Sequence, residues 1–371
     1  MLLNKEQCDF IVSRNEAFYK KEFELDGQQI SIYNYRLASF RDFDNPTNAQ
    51  IKTHRLRAYE LRGMTFVNDE PWIHLHKFFN VGETLGYEIS ELKEKKIVRV
   101  MDKLDGSLIT FVKVNGQWRA KTKQVFDNDQ AIASQGILES TPAIRYFLDQ
   151  CYDQRLMPIW EFTAPNNRIV IPYRTSELSL LQVRCKTTGV YYDISQFEGL
   201  GFQLAQNVFT QADSVDLDTM LALADETQGI EGWIIVFDDG QLAKLKTKWY
   251  NGLHRVRFQT LASDVDLLKL TLEESIDDHL ATIDDMPELK EEIEMKVDIF
   301  RHYFNHHQRE IERIAATFNN YETRKDFYLA NKDYEYISLV MNAVSKGSFD
   351  LVDYMLKKFN TQKEIKRVIL A

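Results

Sequence analysis

Four short motifs, far apart in the sequence, combine an amine with carboxylates and further cations. In KLDGS, Lys103 precedes an acidic residue and a glycine. Glu161 follows in IWEFTAPNNRIV, Glu231 in IEGWIIVF, and the last motif, LAKLK, carries Lys244 and Lys246. A lone KxDG is common by chance, but this ordered set is not. The set suits nucleotidyl transfer, in which an amine attacks phosphorus, carboxylates hold ribose or metal, and cations neutralise phosphates.

Lys103 is the candidate nucleophile. The run IVRVMDK predicts one strand and SLITFVKV the next, with Asp105 and Gly106 at the turn between them. A lysine at such a corner faces a cleft, where the nearby cations Lys244 and Lys246 and partial burial favour the uncharged amine. Attack on the α-phosphorus of ATP would give a lysyl-AMP phosphoramidate and pyrophosphate.

The carboxylates and the paired lysines have complementary predicted roles. Glu161 ends the apolar run LMPIWEF and Glu231 precedes GWIIVF, so each lies on a predicted strand, where it could accept a ribose hydroxyl or bind Mg²⁺. Lys244 and Lys246 stand two residues apart and therefore share one face of a strand. Two ammonium groups on one face suit a phosphate whose charge grows in the transition state. Taken singly, each of these residues would be an ordinary exposed strand residue.

Further basic residues flank this set. Arg62 lies in YELRGMTFV and Lys77 in HLHKFFN, where an arginine suits bidentate phosphate contact and a lysine acts as a point charge. Lys121 and Lys123 are predicted on one face of the strand that follows SLITFVKV. We expect these two lysines to contact a nucleotide phosphate or RNA, although a solvated basic hairpin is an equal alternative.

The net charge of −10 is unevenly distributed. Residues 261–298 hold 13 Asp and Glu against 3 Lys and Arg. Residues 93–125 carry nine bases against three acids, and residues 241–257 carry five bases and no acid. Because a phosphate backbone responds to local basic surface, the overall sign does not exclude RNA.

The remaining composition indicates a protein of the cytoplasm. No apolar run approaches the roughly 20 residues that span a bilayer, so we expect no membrane association. Cys8, Cys151 and Cys185 lie too far apart for a disulfide framework or a zinc pattern, which favours a reducing compartment.

Two regions differ in their predicted secondary structure. Up to residue 255, runs such as ISIYNY, LITFVKV, IVIPY, LSLLQVR and GWIIVF predict strands, Asn115-Gly116 predicts a hairpin turn, and helices are expected around residues 129–148 and 216–223. Beyond it, no glycine occurs between Gly252 and Gly347, and apolar residues recur at helical spacing. The sequence therefore predicts an α+β domain with mainly antiparallel sheets at 1–255 and an all-α domain at 256–371.

The motifs resemble those of a known family. YNY, LRGMTF, KFFN, KLDGSL, WEFTAPNNRIV, IEGWIIVF and LAKLKTKWY, in this order, are similar to the bacteriophage RNA ligase 1 (tRNA-repair ligase) family of the covalent nucleotidyltransferase superfamily. The similarity covers residues 30–255 and extends to the total length. It implies a nucleotidyltransferase (ATP-grasp-like ligase) domain and ATP-dependent joining of an RNA 3′-hydroxyl to a 5′-phosphate, with Mg²⁺ or Mn²⁺ as cofactor. The three implied steps are enzyme adenylylation, AMP transfer to the 5′-phosphate, and sealing.

The resemblance also implies roles for individual residues. Lys103 would be adenylylated, with Asp105 and Gly106 completing its motif. Glu161 would hold the AMP ribose, and Glu231 would act through the metal.

The basic residues match family positions as well. Lys244 and Lys246 would contact the α-phosphate, and Arg62 and Lys77 match positions used around the triphosphate. Arg168 matches a family segment without a role that we can assign. The implied partner is a nicked tRNA anticodon loop, with the helical domain as the module that would select it. The protein would be a monomer in the cytoplasm, the host cell's if a phage encodes it.

Three alternatives compete with this interpretation. A DNA ligase or capping enzyme would follow its Lys-x-Lys strand with an oligonucleotide-binding barrel, whereas a glycine-poor helical segment follows here. A catalytically inactive RNA-binding adaptor is disfavoured because Lys103, Glu231, Lys244 and Lys246 occur together. An adenylylated enzyme that uses another acceptor stays open.

Overall fold

The structure is a computed structural model that describes residues 2–36, 38, 40–43, 58–167, 170–209, 215–253, 263–273, 276–280, 283 and 286–369. It divides into two compact units, Met1–His254 and Arg255–Ala371. Within these described ranges, every helix is too short or too polar to cross a membrane.

The N-terminal unit combines strands with short helices. Its strands are β1 (Phe18–Leu25), β2 (Gln28–Tyr35), β3 (Met64–Val67), β4 (Glu70–Trp72), β5 (Ile97–Lys103), β6 (Ser107–Val114), β7 (Gln117–Lys121), β8 (Leu156–Thr163), β9 (Glu177–Cys185), β10 (Tyr191–Tyr192), β11 (Gln203–Leu204), β12 (Asn207–Phe209), β13 (Gly232–Phe237) and β14 (Leu242–Lys246). Its labelled helices are α1 (Lys5–Arg14), α2 (Phe40–Phe43), α3 (Ile89–Lys93), α4 (Asp129–Ser140), α5 (Pro142–Asp153) and α6 (Leu217–Glu226). Short 3₁₀ helices span Ala58–Leu61, Pro165–Asn167 and Ile194–Phe197.

These strands form three sheets. The first sheet has the order β1-β2-β3-β4, and the third has the order β12-β5-β13-β14. The second, central sheet has the order β10-β9-β8-β6-β7, with β11 added in parallel to β9. The other strand pairs are antiparallel. The predicted α+β class with mainly antiparallel sheets is therefore confirmed.

Consecutive strands β5 and β6 belong to different sheets, and this crossing positions the candidate site. Along β5, Val100 packs in the core beneath the third sheet, whereas Met101 packs in the larger core shared by the first two sheets. Because strand side chains alternate, Lys103 follows Met101 toward that larger body of the unit. The KLDGS segment thus passes from the third sheet to the second.

Local sequence accounts for the hairpin that follows. Asn115 and Gly116 both have positive φ, 46° and 77°, and they join the paired residues Val114 and Gln117. Asn-Gly is the preferred pair for such a two-residue turn, because both positions require left-handed backbone. The predicted hairpin is confirmed.

The helix predicted around residues 129–148 is instead two helices. α4 ends at Ser140, and α5 begins at Pro142, which occupies the first turn of the second helix. Proline lacks the amide donor and disfavours helical backbone in the residue before it, so Thr141 separates the two helices.

The strand predicted from IVIPY is wrong for its described residues. Residues 170–173 adopt no regular structure. The backbone amides of Val170 and Ile171 each donate to Asp105 Oδ2 at 2.7 Å, and Pro172 has no amide to give. These backbone amides would donate to a neighbouring strand in a sheet, but here they donate to the carboxylate of Asp105.

The C-terminal unit is helical in its described part, as predicted. Its helices are α7 (Asp264–Leu272), α8 (Ile276–Leu280), α9 (Pro287–Ala316), α10 (Arg324–Asn331), α11 (Ile337–Lys346), α12 (Leu351–Lys358) and α13 (Gln362–Ile369), with a 3₁₀ turn at Thr317–Asn320. The long helix α9 buries one stripe at helical spacing, which organises the core of this unit. The stripe comprises Ile293, Val297, Phe300, Phe304, Ile311 and Ile314.

Candidate active site

The end of β5 brings the candidate nucleophile to a buried carboxylate. Lys103 Nζ lies 2.6 Å from Glu231 Oε1, and Lys246 Nζ lies 3.6 Å from the same oxygen. The Glu231 side chain is only 4 % exposed. Strand register explains the meeting, because Gly232 is the partner of Lys103 on one side and of Lys246 on the other. Burial raises the pKa of Glu231, and the charges of Lys103 and Lys246 oppose that rise.

Gly232 allows this close approach of three strands. Its φ is +150°, and an added Cβ would lie 2.1 Å from the carbonyl oxygen of Leu245. Only glycine fits such a position. The glycine after Glu231 therefore keeps the neighbouring strand ends close enough for the carboxylate to contact both amines.

Glu161, on β8 of the central sheet, contacts the KLDGS segment. The backbone N–H of Gly106 donates to Glu161 Oε1 at 3.1 Å. An added Cβ on Gly106 would lie 2.3 Å from the carbonyl oxygen of Phe162, so a side chain there would push the loop off β8. Burial raises the pKa of Glu161 to about 8, although the positive charge of Lys103 opposes the shift.

Asp105 fixes the turn that carries Lys103. Its carboxylate, 1 % exposed, accepts the hydroxyl of Tyr250 at 2.8 Å as well as the two amides of residues 170 and 171. The Asp105 backbone N–H donates to the hydroxyl oxygen of Tyr173 at 3.0 Å. These contacts tie the turn to the helical segment 248–253 and to the loop after β8.

Sequence reasoning gave Asp105 a place in the motif but missed Tyr173 and Tyr250. A signal for Tyr250 was present, since it stands four residues after Lys246 in the quoted run LAKLKTKWY. Its Oη contacts Asp105, and Lys246 Nζ lies 5.6 Å from its ring centroid. One tyrosine thus contacts two motifs.

The upstream motif KFFN adjoins the last motif. Lys244 donates its backbone N–H to the Phe79 carbonyl at 3.0 Å and accepts from the Val81 N–H at 2.9 Å. Lys244 Nζ lies 5.5 Å from the centroid of the Phe78 ring. Lys77 is buried, with its Nζ 5.1 Å from the Phe79 ring centroid. The structure therefore brings Lys77 beside the strand that carries the paired lysines.

Arg62 presents a buried donor whose charge acts on Glu161. Its Nη1 has no hydrogen-bond partner among the described residues, and its charge lowers the pKa of Glu161. Nearby His74 is fully buried, and both of its ring nitrogens also lack a partner within the described ranges. Burial lowers the pKa of His74 well below its ordinary value, and the charges of Lys121 and Arg62 add to the effect. Unpaired buried donors next to cations suit an anionic ligand.

Lys121 and Lys123 do not share one strand face as predicted. β7 ends at Lys121, so Lys123 lies beyond the strand. The Lys121 side chain is fully buried, and its Nζ donates to the carbonyl of Gly63 at 3.2 Å and to that of Lys123 at 3.5 Å. A side chain in this position cannot meet RNA at the surface, and burial lowers its pKa to about 7. Lys123 Nζ lies 4.9 Å from the Tyr35 ring centroid.

The carboxylates fit a divalent cation held jointly with a substrate. The charge of Glu231 raises the pKa of Glu161, a repulsion that a cation would relieve. Among the described residues, no group of three or more His, Cys, Asp or Glu is arranged to hold a metal by itself. Mg²⁺ commonly uses one or two carboxylates plus substrate phosphates and water, so this donor set fits it. Arg168 lies outside the described residues.

Comparison with known proteins gives the family. A family model described as RNA ligase matches residues 60–251, slightly more than half of the chain. The chain belongs to the RNA ligase family. The family resemblance carried by the motifs is thereby confirmed, and so is the prediction of an RNA ligase enzyme class.

Two relatives and one solved structure illustrate the likeness of this RNA ligase family member. A Thermovibrio ammonificans protein named "Putative RNA ligase" is 28 % identical over 315 residues, which cover 81 % of this chain and 77 % of that protein. The Autographa californica nuclear polyhedrosis virus protein "Putative bifunctional polynucleotide kinase/RNA ligase" is 25 % identical over 313 residues, covering 78 % of this chain and 42 % of its own. The structure of an archaeal ATP-dependent RNA ligase aligns with a TM-score of 0.46 at 13 % identity, covering 84 % and 79 % of the two chains.

Proposed function

We propose that this chain is an ATP-dependent RNA ligase that joins RNA 3′-hydroxyl and 5′-phosphate ends through a lysyl-AMP intermediate and an RNA-adenylate. Membership of the RNA ligase family supports the reaction class. The observation that carries the mechanism is the convergence of Lys103 and Lys246 on the buried carboxylate of Glu231, at 2.6 and 3.6 Å.

In the first step, Lys103 Nζ attacks the α-phosphorus of ATP. A nitrogen–phosphorus bond forms while the bond from that phosphorus to the bridging oxygen breaks, and pyrophosphate leaves. Lys103 Nζ is engaged by Glu231 at 2.6 Å, so this contact must loosen before the nitrogen can attack phosphorus. Lys246 competes for the same carboxylate and helps to release the amine.

The other residues hold and neutralise the nucleotide. Lys244 and Lys246 neutralise the α-phosphate, and Arg62 and Lys77 hold the outer phosphates. Glu161, held beside the Lys103 turn by the Gly106 amide, accepts a ribose hydroxyl.

A divalent cation, Mg²⁺ or Mn²⁺, completes the site. Glu231 would hold it together with phosphate oxygens, and the cation supplies positive charge that stabilises the leaving pyrophosphate. In the later steps, the RNA 5′-phosphate displaces Lys103 from AMP, and the 3′-hydroxyl then displaces AMP from the adenylylated end.

The first test is covalent labelling without RNA. Incubation with ATP labelled in the α-phosphate and Mg²⁺ should give a labelled protein, and Lys103→Ala should abolish the label. Lys113→Ala is the matched control, because Lys113 lies in β6 and pairs with Asp149 rather than with the site. Equal labelling of Lys103→Ala and wild type would reject the nucleophile, and an unlabelled wild type would favour the adaptor alternative.

The second test concerns the substrate. We propose that the natural partner is a nicked tRNA anticodon loop, that the helical unit contributes to tRNA specificity, and that the enzyme acts as a monomer in the cytoplasm. A nicked anticodon stem-loop should be sealed faster than an unstructured RNA of equal length and than a nicked DNA duplex. Preferential sealing of DNA would overturn the substrate class.

A further inference from the structure

A buried arginine in the central sheet binds the 3₁₀ helix that immediately precedes Arg62. Arg184, in β9, is 2 % exposed. Its Nη1 and Nη2 donate to Glu60 Oε2 and Oε1 at 3.0 and 2.9 Å, and its Nε donates to the Gly189 carbonyl at 3.1 Å. Glu60 lies in the 3₁₀ helix Ala58–Leu61, which ends just before Arg62.

The same arginine also holds the segment that leads to Lys77. Arg184 Nη1 donates to the carbonyl of His74. The ring of Tyr191 stacks on the guanidinium with its centroid 4.5 Å from Cζ, and its hydroxyl contacts His76 Nδ1 at 2.7 Å.

The two held segments are joined directly to each other. The backbone N–H of Lys77 donates to the Tyr59 carbonyl at 2.9 Å. A displacement of the 3₁₀ helix would therefore move Lys77 together with Arg62. Arg184 bonds both segments to β9.

Arg184 acts away from the reacting atoms. β9 pairs with β8, and the partners of Glu161 and Arg184 on these strands are Ser179 and Met157. Ser179 and Arg184 are separated by roughly 17 Å at the rise of an extended strand. Arg184 therefore does not contact the Lys103 turn through this pairing.

A buried ion pair is a poor source of stability, because desolvation offsets the attraction and an apolar pair of equal size often stabilises as well. The two parallel hydrogen bonds between Arg184 and Glu60 instead fix the direction and distance between these side chains. In this molecule the fixed partner is two residues from Arg62, whose Nη1 has no partner among the described residues.

We propose that Arg184 is a positioning residue that, through Glu60 and the His74 carbonyl, places Arg62 and Lys77 for the outer phosphates of ATP. This rests on the proposed function. Arg184 thereby governs ATP use in the first step and leaves sealing of a pre-adenylylated RNA unaffected, since that substrate carries no triphosphate.

The test compares the two reactions in Arg184→Lys and Glu60→Gln. Each substitution keeps the size of the side chain but removes the bidentate charged contact. We expect the KM for ATP in enzyme adenylylation to rise about tenfold or more, while the rate of sealing pre-adenylylated RNA stays within about twofold of wild type. The substitutions change opposite partners of the pair, so if one variant does not fold, the other still decides the question.

Leu148→Ala serves as the stability control. Leu148 is a core residue of α5 that belongs to neither held segment, and its truncation lowers stability. If Arg184→Lys and Glu60→Gln slow both reactions equally, as Leu148→Ala would, the pair is merely structural and the inference is overturned. A wild-type protein that gives neither lysyl-AMP nor sealing would overturn the proposed function itself, so the two failures are distinguishable.

Discussion

The two units of this chain differ in the number of charged side chains that they bury. In the described part of the N-terminal unit, the buried charged residues are Glu60, Lys77, Asp105, Lys121, Glu161, Arg184, Lys186 and Glu231. In the described part of the C-terminal unit, the buried polar residues are Thr271 and His279. Burying charge costs free energy and is tolerated where partners or ligands compensate it. The location of buried charge, rather than the net charge, therefore distinguishes the unit that holds the candidate active site.

Several ion pairs of the helical unit lie on exposed helix surfaces, whereas Lys296 and Asp264 form a partly buried pair between α9 and α7 at 3.1 Å. Arg313 pairs with Glu310 at 2.8 Å, and Lys357 pairs with Asp353 at 2.7 Å, each within one turn of a helix. Such pairs are solvated and contribute little to stability. We therefore expect substitutions of the buried charges in the first unit to matter, and substitutions of these exposed pairs in the second to be nearly silent.

Among substitutions that leave Lys103 in place, the largest effect is expected for Glu231→Gln. The substitution keeps the shape of the side chain but removes the charge that contacts Lys103 and Lys246. We expect lysyl-AMP formation to slow about 100-fold, the scale seen when one aligned electrostatic group is lost from a site. The measurement is single-turnover adenylylation at saturating ATP. Glu288→Gln, on the first turn of α9, is the control, and equal rates for the two variants would contradict the comparison.

A smaller effect is expected for Tyr250→Phe. It removes the hydroxyl that donates to Asp105 at 2.8 Å and leaves a buried carboxylate with one donor fewer, which costs about 1–3 kcal/mol. Adenylylation should fall about tenfold because the Lys103 turn loosens.

Tyr303→Phe provides a matched control in the helical unit. Tyr303 contacts the hydroxyl of Tyr336 at 2.9 Å, a bond between neutral groups. Its loss should lower stability by about 1 kcal/mol and leave adenylylation unchanged. If Tyr250→Phe also altered only stability, Asp105 would need no support from Tyr250 for the reaction.

Lys121→Met should change the pH dependence of stability. The pKa of Lys121 is lowered to about 7, whereas an unfolded lysine titrates near about 10.4. Between these values the unfolded state binds more protons, so the free energy of unfolding rises with pH, by up to about 1.4 kcal/mol per pH unit. The variant should lose this contribution, as measured by urea unfolding at pH 7 and 9.5. Parallel pH dependences for the two proteins would refute a buried, partly neutral Lys121.

Local patterns in the sequence predicted the motif residues. They did not predict the residues that support the motifs through long-range contacts. Strand spacing and the order of the motifs identified Lys103, Glu161 and Glu231 as one set. The bond between Arg184 and Glu60 joins residues 124 positions apart, and no spacing rule links such residues. Such a pair depends on how separate segments pack in the fold, and no local pattern in the sequence indicates that packing.

Two mispredictions have the same cause. The run IVIPY reads as a strand, but its first described amides are taken by the distant carboxylate of Asp105. Alternation along the strand gave Lys121 and Lys123 a common exposed face, yet β7 ends at Lys121, and the lysine turns inward to two backbone carbonyls. In both cases a tertiary contact outweighed the local pattern.

The smallest effect is expected for Lys357→Ala in the helical unit. Lys357 and Asp353 form an i,i+4 pair whose side chains are 76 % and 56 % exposed. An exposed pair of this kind contributes about 0.3–0.5 kcal/mol, and alanine recovers part of that through its helix propensity. Chemical denaturation should therefore show a change below about 0.5 kcal/mol, and adenylylation should be unaltered. A loss of stability above about 1 kcal/mol would mean that exposed ion pairs also stabilise the helical unit substantially. The contrast drawn between the two units would then be wrong.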